Sequence, residues 1–141
     1  MLSNFWRLCL IAVTIIGLDN LWIAFNKDLY FGTFARIQGS PVNINIVGSI
    51  IAYAALILGA YVITSIGSSI EIPFISTIAP GLVKKVTTGR VMATMFLFAV
   101  AYLVWNGTAL AVFRDYSPRL AAMDSIWGIV LGAIVGYVAQ L

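Results

Sequence analysis

Two short patterns place an acid and an indole together: Asp19-Asn20-Leu21-Trp22 and Asp124-Ser125-Ile126-Trp127. Each lies within a long apolar run, so each sets a carboxylate at membrane depth. An ionisable side chain there is costly and marks a functional site by default. Two carboxylates at one depth suit passing a proton, holding a cation or gripping a polar headgroup. A further apolar run brings Trp105, Asn106 and Thr108 to the same end, and Arg114 and Arg119 follow just outside it. One end of the molecule is therefore expected to gather two carboxylates (Asp19, Asp124), polar amides and hydroxyls (Asn20, Asn106, Thr108), three indoles (Trp22, Trp105, Trp127) and the two guanidinium groups.

The same residues admit a structural reading. Asp124 stands near the start of its run, where a carboxylate caps a helix or favours its positive end. Asp19 can pair with Arg114 or Arg119, which removes the cost of its charge. Trp22, Trp105 and Trp127 then form an interfacial aromatic belt. Structural clamp and transport site are the two alternatives for this cluster.

Other chemistries lack their residues. The chain has no His, the commonest metal ligand and proton shuttle. Its one cysteine, Cys9, can form neither an internal disulfide nor a metal cage. No Gly-rich phosphate loop, nucleophile elbow or metal-ligand pair is present. Asn106-Gly107-Thr108 matches a glycosylation triplet, but inside an apolar run the modifying enzyme cannot reach it. The expectation is a non-enzyme with no catalytic, cofactor-binding or metal-binding set. The aromatic-rich runs read first as packing and belt, with pigment or quinone binding as the alternative.

The elements that must position these residues follow from composition. Of 141 residues, 62% are apolar and 9% charged. Ordinary soluble domains hold about 45–50% and 25%. A fold this small cannot hide so much apolar surface from water. That excludes a soluble enzyme, a disordered chain and a nucleic-acid binder. The net charge of +3 comes from basic residues scattered between apolar runs as boundary charges, not gathered into a patch.

Four runs have the roughly 20-residue length that crosses the hydrocarbon layer as a helix. They cover about 5–25, 45–66, 91–113 and 122–141. The first starts beside Arg7 but continues through Asp19 and Trp22 without a small-residue cleavage site, so it reads as a retained helix. In the first connection, Tyr30, Phe31, Phe34 and Ile37 recur near helical spacing, as in a helix lying aromatic side down in the interface. The second connection, 67–90, carries a Pro-broken Ile-Pro-Phe-Ile stretch and then Lys84, Lys85 and Arg90, and is expected at the headgroups or on a partner. The third is short and must join antiparallel neighbours. Four spans put both termini on one side. Basic residues then divide four against four (Arg7, Lys84, Lys85, Arg90; Lys27, Arg36, Arg114, Arg119), so positive-inside counting favours neither orientation.

Small residues mark packing faces. Gly128, Gly132 and Gly136 repeat every four residues along the fourth run, and Gly48, Ala52, Ala55 and Gly59 share a face of the second. Such stripes let membrane helices approach closely. Packing inside the bundle is one reading, and an outward docking face for another subunit is the other.

Asp19-x-x-Trp22, Tyr30 and Asp124-x-x-Trp127-Gly128 together resemble the small four-helix membrane proteins of domain-of-unknown-function family 2177, over nearly the whole chain. The resemblance implies a Tyr-Asp-x-Thr-Asn-type motif in the third span. Here the matching stretch is Trp105-Asn106-Gly107-Thr108-Ala109. Thr108 fits, Asn106 stands where the acid would be and Ala109 where the amide would be. The resemblance implies a fold and no reaction, and the two departures dilute the polar cluster.

The expected architecture is an all-α integral membrane bundle of four helices with both termini on one side. The expected role is a non-enzymatic structural or accessory multi-pass subunit of a larger membrane assembly, a native complex or a virion inner membrane. Its partners are then the lipid bilayer and other membrane proteins, with no nucleic acid. The alternative is a small-solute or proton-linked transporter using Asp19 and Asp124.

Overall fold

The computed structural model describes residues 4–66 and 86–141. The Ile-Pro-Phe-Ile stretch, Lys84 and Lys85 lie outside the described residues. Five helices are present among them: α1 (Asn4–Phe25), α2 (Lys27–Gln38), α3 (Ile46–Ile66), α4 (Val86–Val112) and α5 (Pro118–Val138). Four of them are long and apolar enough to span a bilayer, over Asn4–Phe25, Ile46–Ile66, Gly89–Val112 and Pro118–Val138. Large apolar side chains such as Val13, Ile46, Phe96 and Val112 stand exposed on their outer faces. In lipid such exposure costs nothing, because acyl chains are as apolar as the side chains.

The boundaries of the first two spans match the sequence expectation within a residue. Those of the last two differ. Helix α4 begins five residues before the apolar run, with Val86. Helix α5 begins with Pro118 rather than near 122. Ser117 supplies the reason: its hydroxyl oxygen accepts the Leu120 N–H at 3.2 Å, and proline fills the first helical position, where no donor is needed. Asp124 therefore lies in the second turn and is not a cap, contrary to one expectation.

Helix α2 follows α1 after one residue, Asn26, whose side-chain amide donates to the Trp22 carbonyl at 2.9 Å. It ends at Gly39, whose φ of 67° is the left-handed conformation that favours glycine after a helix. Its apolar face packs on protein. Leu29, Tyr30, Phe34 and Ile37 pack on Ala109, Tyr116, Leu120 and Ala121, while Phe31 stays exposed. Helix α2 is thus a lid across one end of the bundle.

The dominant packing unit is the antiparallel pair α4 and α5. Its glycines account for the closeness. A Cβ at Gly132 would stand 2.9 Å from the Met95 Cα and from the Thr94 carbonyl oxygen. One at Gly136 would stand 2.8 Å from the Val91 Cα, and one at Gly128 would lie inside the Tyr102 side chain. As the α5 glycines advance, their partners on α4 recede, which fixes the antiparallel register. This stripe faces inward and leaves no outward docking ridge. The α3 stripe behaves differently. Gly59 touches Leu97, but Gly48, Ala52 and Ala55 are exposed, so the expectation that both stripes are buried is corrected for α3.

The remaining core joins α1 and α3 to this pair through Ile11, Ile15, Ala60, Phe98, Leu131 and Val135, all fully buried. Helix α1 starts where α3 ends, with the Arg7 guanidinium over the Tyr61 ring at 4.8 Å and donating to the Ser65 hydroxyl. The start of α1 and the end of α5 both lie at that end. The Asp19 and Asp124 end is the opposite one, under α2.

Candidate functional site

Asp19 is on the inward face of α1, four and eight residues beyond the core positions Ile15 and Ile11. Asp124 is on the inward face of α5, four residues before Gly128. Helical periodicity thus turns both carboxylates into the bundle. They are 8% and 7% exposed, so each is more than nine-tenths buried.

Every partner of Asp19 is a neutral donor. Tyr53 of α3 donates to its Oδ2 at 2.9 Å. Tyr102 of α4 donates to its Oδ1 at 2.9 Å, and the Trp127 indole to the same atom at 3.0 Å. Asp124 accepts from the Tyr30 hydroxyl at Oδ1 and from the Asn106 amide at Oδ2, the latter at 2.8 Å. A second layer aims these donors. The Trp22 indole donates to the Tyr30 oxygen at 3.1 Å, so the Tyr30 proton is left for Asp124. The Asn20 amide does the same for Tyr53, also at 3.1 Å. Asn106 is held by the Tyr116 hydroxyl, which donates to its Oδ1 at 2.7 Å, and by its own bond to the Tyr102 carbonyl at 2.9 Å. The hydrogen-bond directions of the whole cluster run toward the two carboxylates. Hydrogen bonds of this kind are strongest when the carboxylate they meet carries its charge.

No cation answers that charge among the described residues. Arg114 and Arg119 are exposed in and beside the α4–α5 turn and form no ion pair there with either acid. The expected pairing of Asp19 with one of them is therefore corrected: tyrosines and an indole occupy its oxygens instead. Nor do all three indoles form a belt. Trp22 and Trp127 stack at 4.8 Å with 4° between their planes, both turned toward the acids. Trp105 is 53% exposed, yet it lines the cavity beside the acids and is hydrogen-bonded to the Tyr116 phenol. Thr108 is also exposed, and Asn20 sits at the rim.

Four tyrosines complete the site, and reading the sequence for acids and indoles passed over three of them: Tyr53, Tyr102 and Tyr116. A signal was present in α4, where Phe98, Tyr102 and Asn106 recur every four residues on one face. Tyr53 gives no comparable sign, because α3 is apolar on all sides. Asn106 suits its place beside Asp124. An acid at that position would press a second carboxylate against Asp124, whereas the amide donates to it.

A cavity of about 380 Å³ opens beside the acids. Asp19, Asp124, Tyr30 and Tyr102 line it, together with the exposed Ala52 and Ala55 of α3. The exposed small residues of α3 thus keep this space open. No group of three or more metal-ligating side chains occurs among the described residues.

Two phenols lie outside the spans and report the field of the acids. Burial, and then the hydrogen bond to Asp124, push the Tyr30 phenol well above its ordinary range. Burial and the Asp124 charge push Tyr116 up to about 12. Both stay protonated donors at any physiological pH. The folded state therefore binds the Tyr116 proton more tightly than the unfolded chain, whose phenol titrates near 10. Stability from this group is complete below pH 10 and lost as pH rises through 12. An alkaline titration of the protein in detergent, followed by circular dichroism, is expected to show a flat unfolding midpoint to about pH 9 and a decline above about 10. Tyr116→Phe should lessen the slope of that decline.

Four spanning helices around a buried polar cluster, capped by a short helix, define an integral multi-pass membrane protein. The chain matches the family described as predicted membrane protein (DUF2177) over residues 5–141, and it belongs to that family. No curated protein and no solved structure matches the chain.

Proposed function

We propose that this chain is a non-enzymatic membrane carrier in which Asp19 and Asp124 hold a proton or a small cation during its passage across the bilayer. One observation carries the reading. Two carboxylates, each more than nine-tenths buried, share a cavity, collect only neutral donors and have no basic partner among the described residues. A buried charge without a counter-charge is costly. A mobile cation or proton removes that cost, and its exchange is transport. The open wall at Ala52 and Ala55 supports access from the membrane side.

A role as structural or accessory subunit of a larger assembly has less support, since the α5 glycine stripe is consumed inside the bundle.

The test is flux. In liposomes loaded with a pH-sensitive dye, the protein is expected to collapse an imposed proton gradient, alone or with a small amine or alkali cation outside. Asp19→Asn with Asp124→Asn should return flux to the rate of empty vesicles while circular dichroism shows the helices retained. Equal flux from the double variant and the native chain would reject the proposal.

A further inference from the structure

We propose that the cation carried is a compact organic one, a protonated amine on a body of one or two rings, held inside the carboxylate cavity and admitted between α3 and α4; this rests on the carboxylate pair being a cation site. The size of the space sets the class of ligand. It holds about 380 Å³. A cavity of about 150 Å³ is enough for one benzene, and small-molecule pockets begin near about 300 Å³. A bare metal ion would leave most of this volume unfilled.

The lining sets the body of the ligand. Tyr30, Tyr102 and Trp105 bring three aromatic side chains to one cavity, and Ile23 and Leu56 add apolar surface. Aromatic rings pack favourably on other rings and attract positive charge. The charged side chains on the same lining are Asp19 and Asp124, both more than nine-tenths buried. An apolar, aromatic wall that also carries buried acids complements a ligand with an apolar body and a cationic head.

The acids set the head. Asp19 accepts three hydrogen bonds and Asp124 two, against about four lone-pair sites on each carboxylate. About three sites are left, which is the number of donors on an ammonium group. A hard metal cation such as calcium takes about six to eight oxygen ligands. No group of three or more metal-ligating side chains occurs among the described residues.

The way in follows from exposure. The exposed members of the lining are Ala52 and Ala55 on α3 and Trp105 on α4. The mouth therefore lies between two spanning helices. Two methyl side chains on its α3 side leave room for a ring to pass.

Binding of tritiated naphthylmethylamine to the purified full chain in non-ionic detergent tests this. One saturable site is expected. Naphthylmethanol and naphthylacetate should compete about tenfold less well or worse, the scale of one charge-assisted hydrogen bond. Methylammonium and potassium should do no better, since neither has a body for the aromatic wall. Ala52→Phe and Ala55→Phe narrow the mouth and should each weaken binding about tenfold or more. Trp105→Ala should weaken it about threefold to tenfold, whereas Trp105→Phe, which keeps a ring and loses the N–H bonded to Tyr116, should stay within about threefold of the native chain. Equal competition by the alcohol, by methylammonium or by potassium overturns the assignment. So does full competition by phosphatidylethanolamine, which would make a lipid headgroup the ligand in place of a free amine. Undiminished binding by folded Ala52→Phe, Ala55→Phe and Trp105→Ala overturns it as well. Flux surviving in the double Asn variant instead overturns the carrier reading itself, so the two failures are distinct.

Discussion

Replacing Gly132 by Leu is expected to leave no folded protein to purify. A Cβ at this position already comes within 2.9 Å of the Met95 Cα, the Thr94 carbonyl oxygen and the Phe98 Cβ. Two of those atoms are backbone, so no side-chain rotation relieves the contact. The helices must part, and the α4–α5 pair is the principal packing unit of the molecule. Even Gly132→Ala should cost about 1–3 kcal/mol, the usual range for overpacking a close-packed interior. Gly17 is the control. A Cβ there meets nothing within 4 Å. Gly17→Ala should be neutral or stabilising by up to about 1 kcal/mol, through helix propensity alone. Unfolding midpoints in detergent, read by circular dichroism, separate the three variants. Equal midpoints for the two alanine variants would refute the close-approach argument.

The second large effect is expected at Asn106. Its side chain is fully buried and makes three hydrogen bonds at once, to Asp124, to the Tyr102 carbonyl and from Tyr116. Asn106→Leu keeps the volume and removes all three. The Tyr102 carbonyl still has its helical partner, but the Asp124 Oδ2 loses its donor and the Tyr116 hydroxyl loses its acceptor. Each buried polar group so stranded costs about 1–3 kcal/mol, and more when charged. A loss of about 3 kcal/mol or more is expected, together with loss of flux. Thr108, two residues on and exposed, provides the contrast: Thr108→Ala should change stability by less than about 0.5 kcal/mol. Comparable losses at both positions would mean that the network is not what stabilises this end.

These two positions also show how far the sequence is legible. The spans are readable because the bilayer imposes a length and forces the backbone to satisfy itself, so Ile46–Ile66 declares itself by composition. Asp19 and Asp124 are readable because an acid stands out in such a run, where its burial is costly. What surrounds them is not readable. Which residues of α3 and α4 face Asp19 depends on the rotation of each helix about its axis, and uniformly apolar helices leave that angle unmarked. Tyr53 and Tyr102 therefore pass as ordinary span residues. Trp105 and Asn106 are adjacent in sequence yet point about 100° apart around the helix, so Trp105 is half exposed while Asn106 is fully buried against Asp124. Arg114 and Arg119 look like natural partners for a buried acid, but a guanidinium can reach water from the turn, and there it stays. The glycine stripe is legible as a close contact and silent about its partner.

The distribution of Asp19's partners along the chain bears on how the protein is made. Synthesis delivers α1 first and α3 next, so at that stage only Tyr53 is available to this carboxylate. Tyr102 and Trp127 arrive with the last hairpin. Until that hairpin docks, the nascent protein carries an under-solvated acid in its first span, a costly state. Concealment of the acid in the first helix therefore waits for the α4–α5 hairpin.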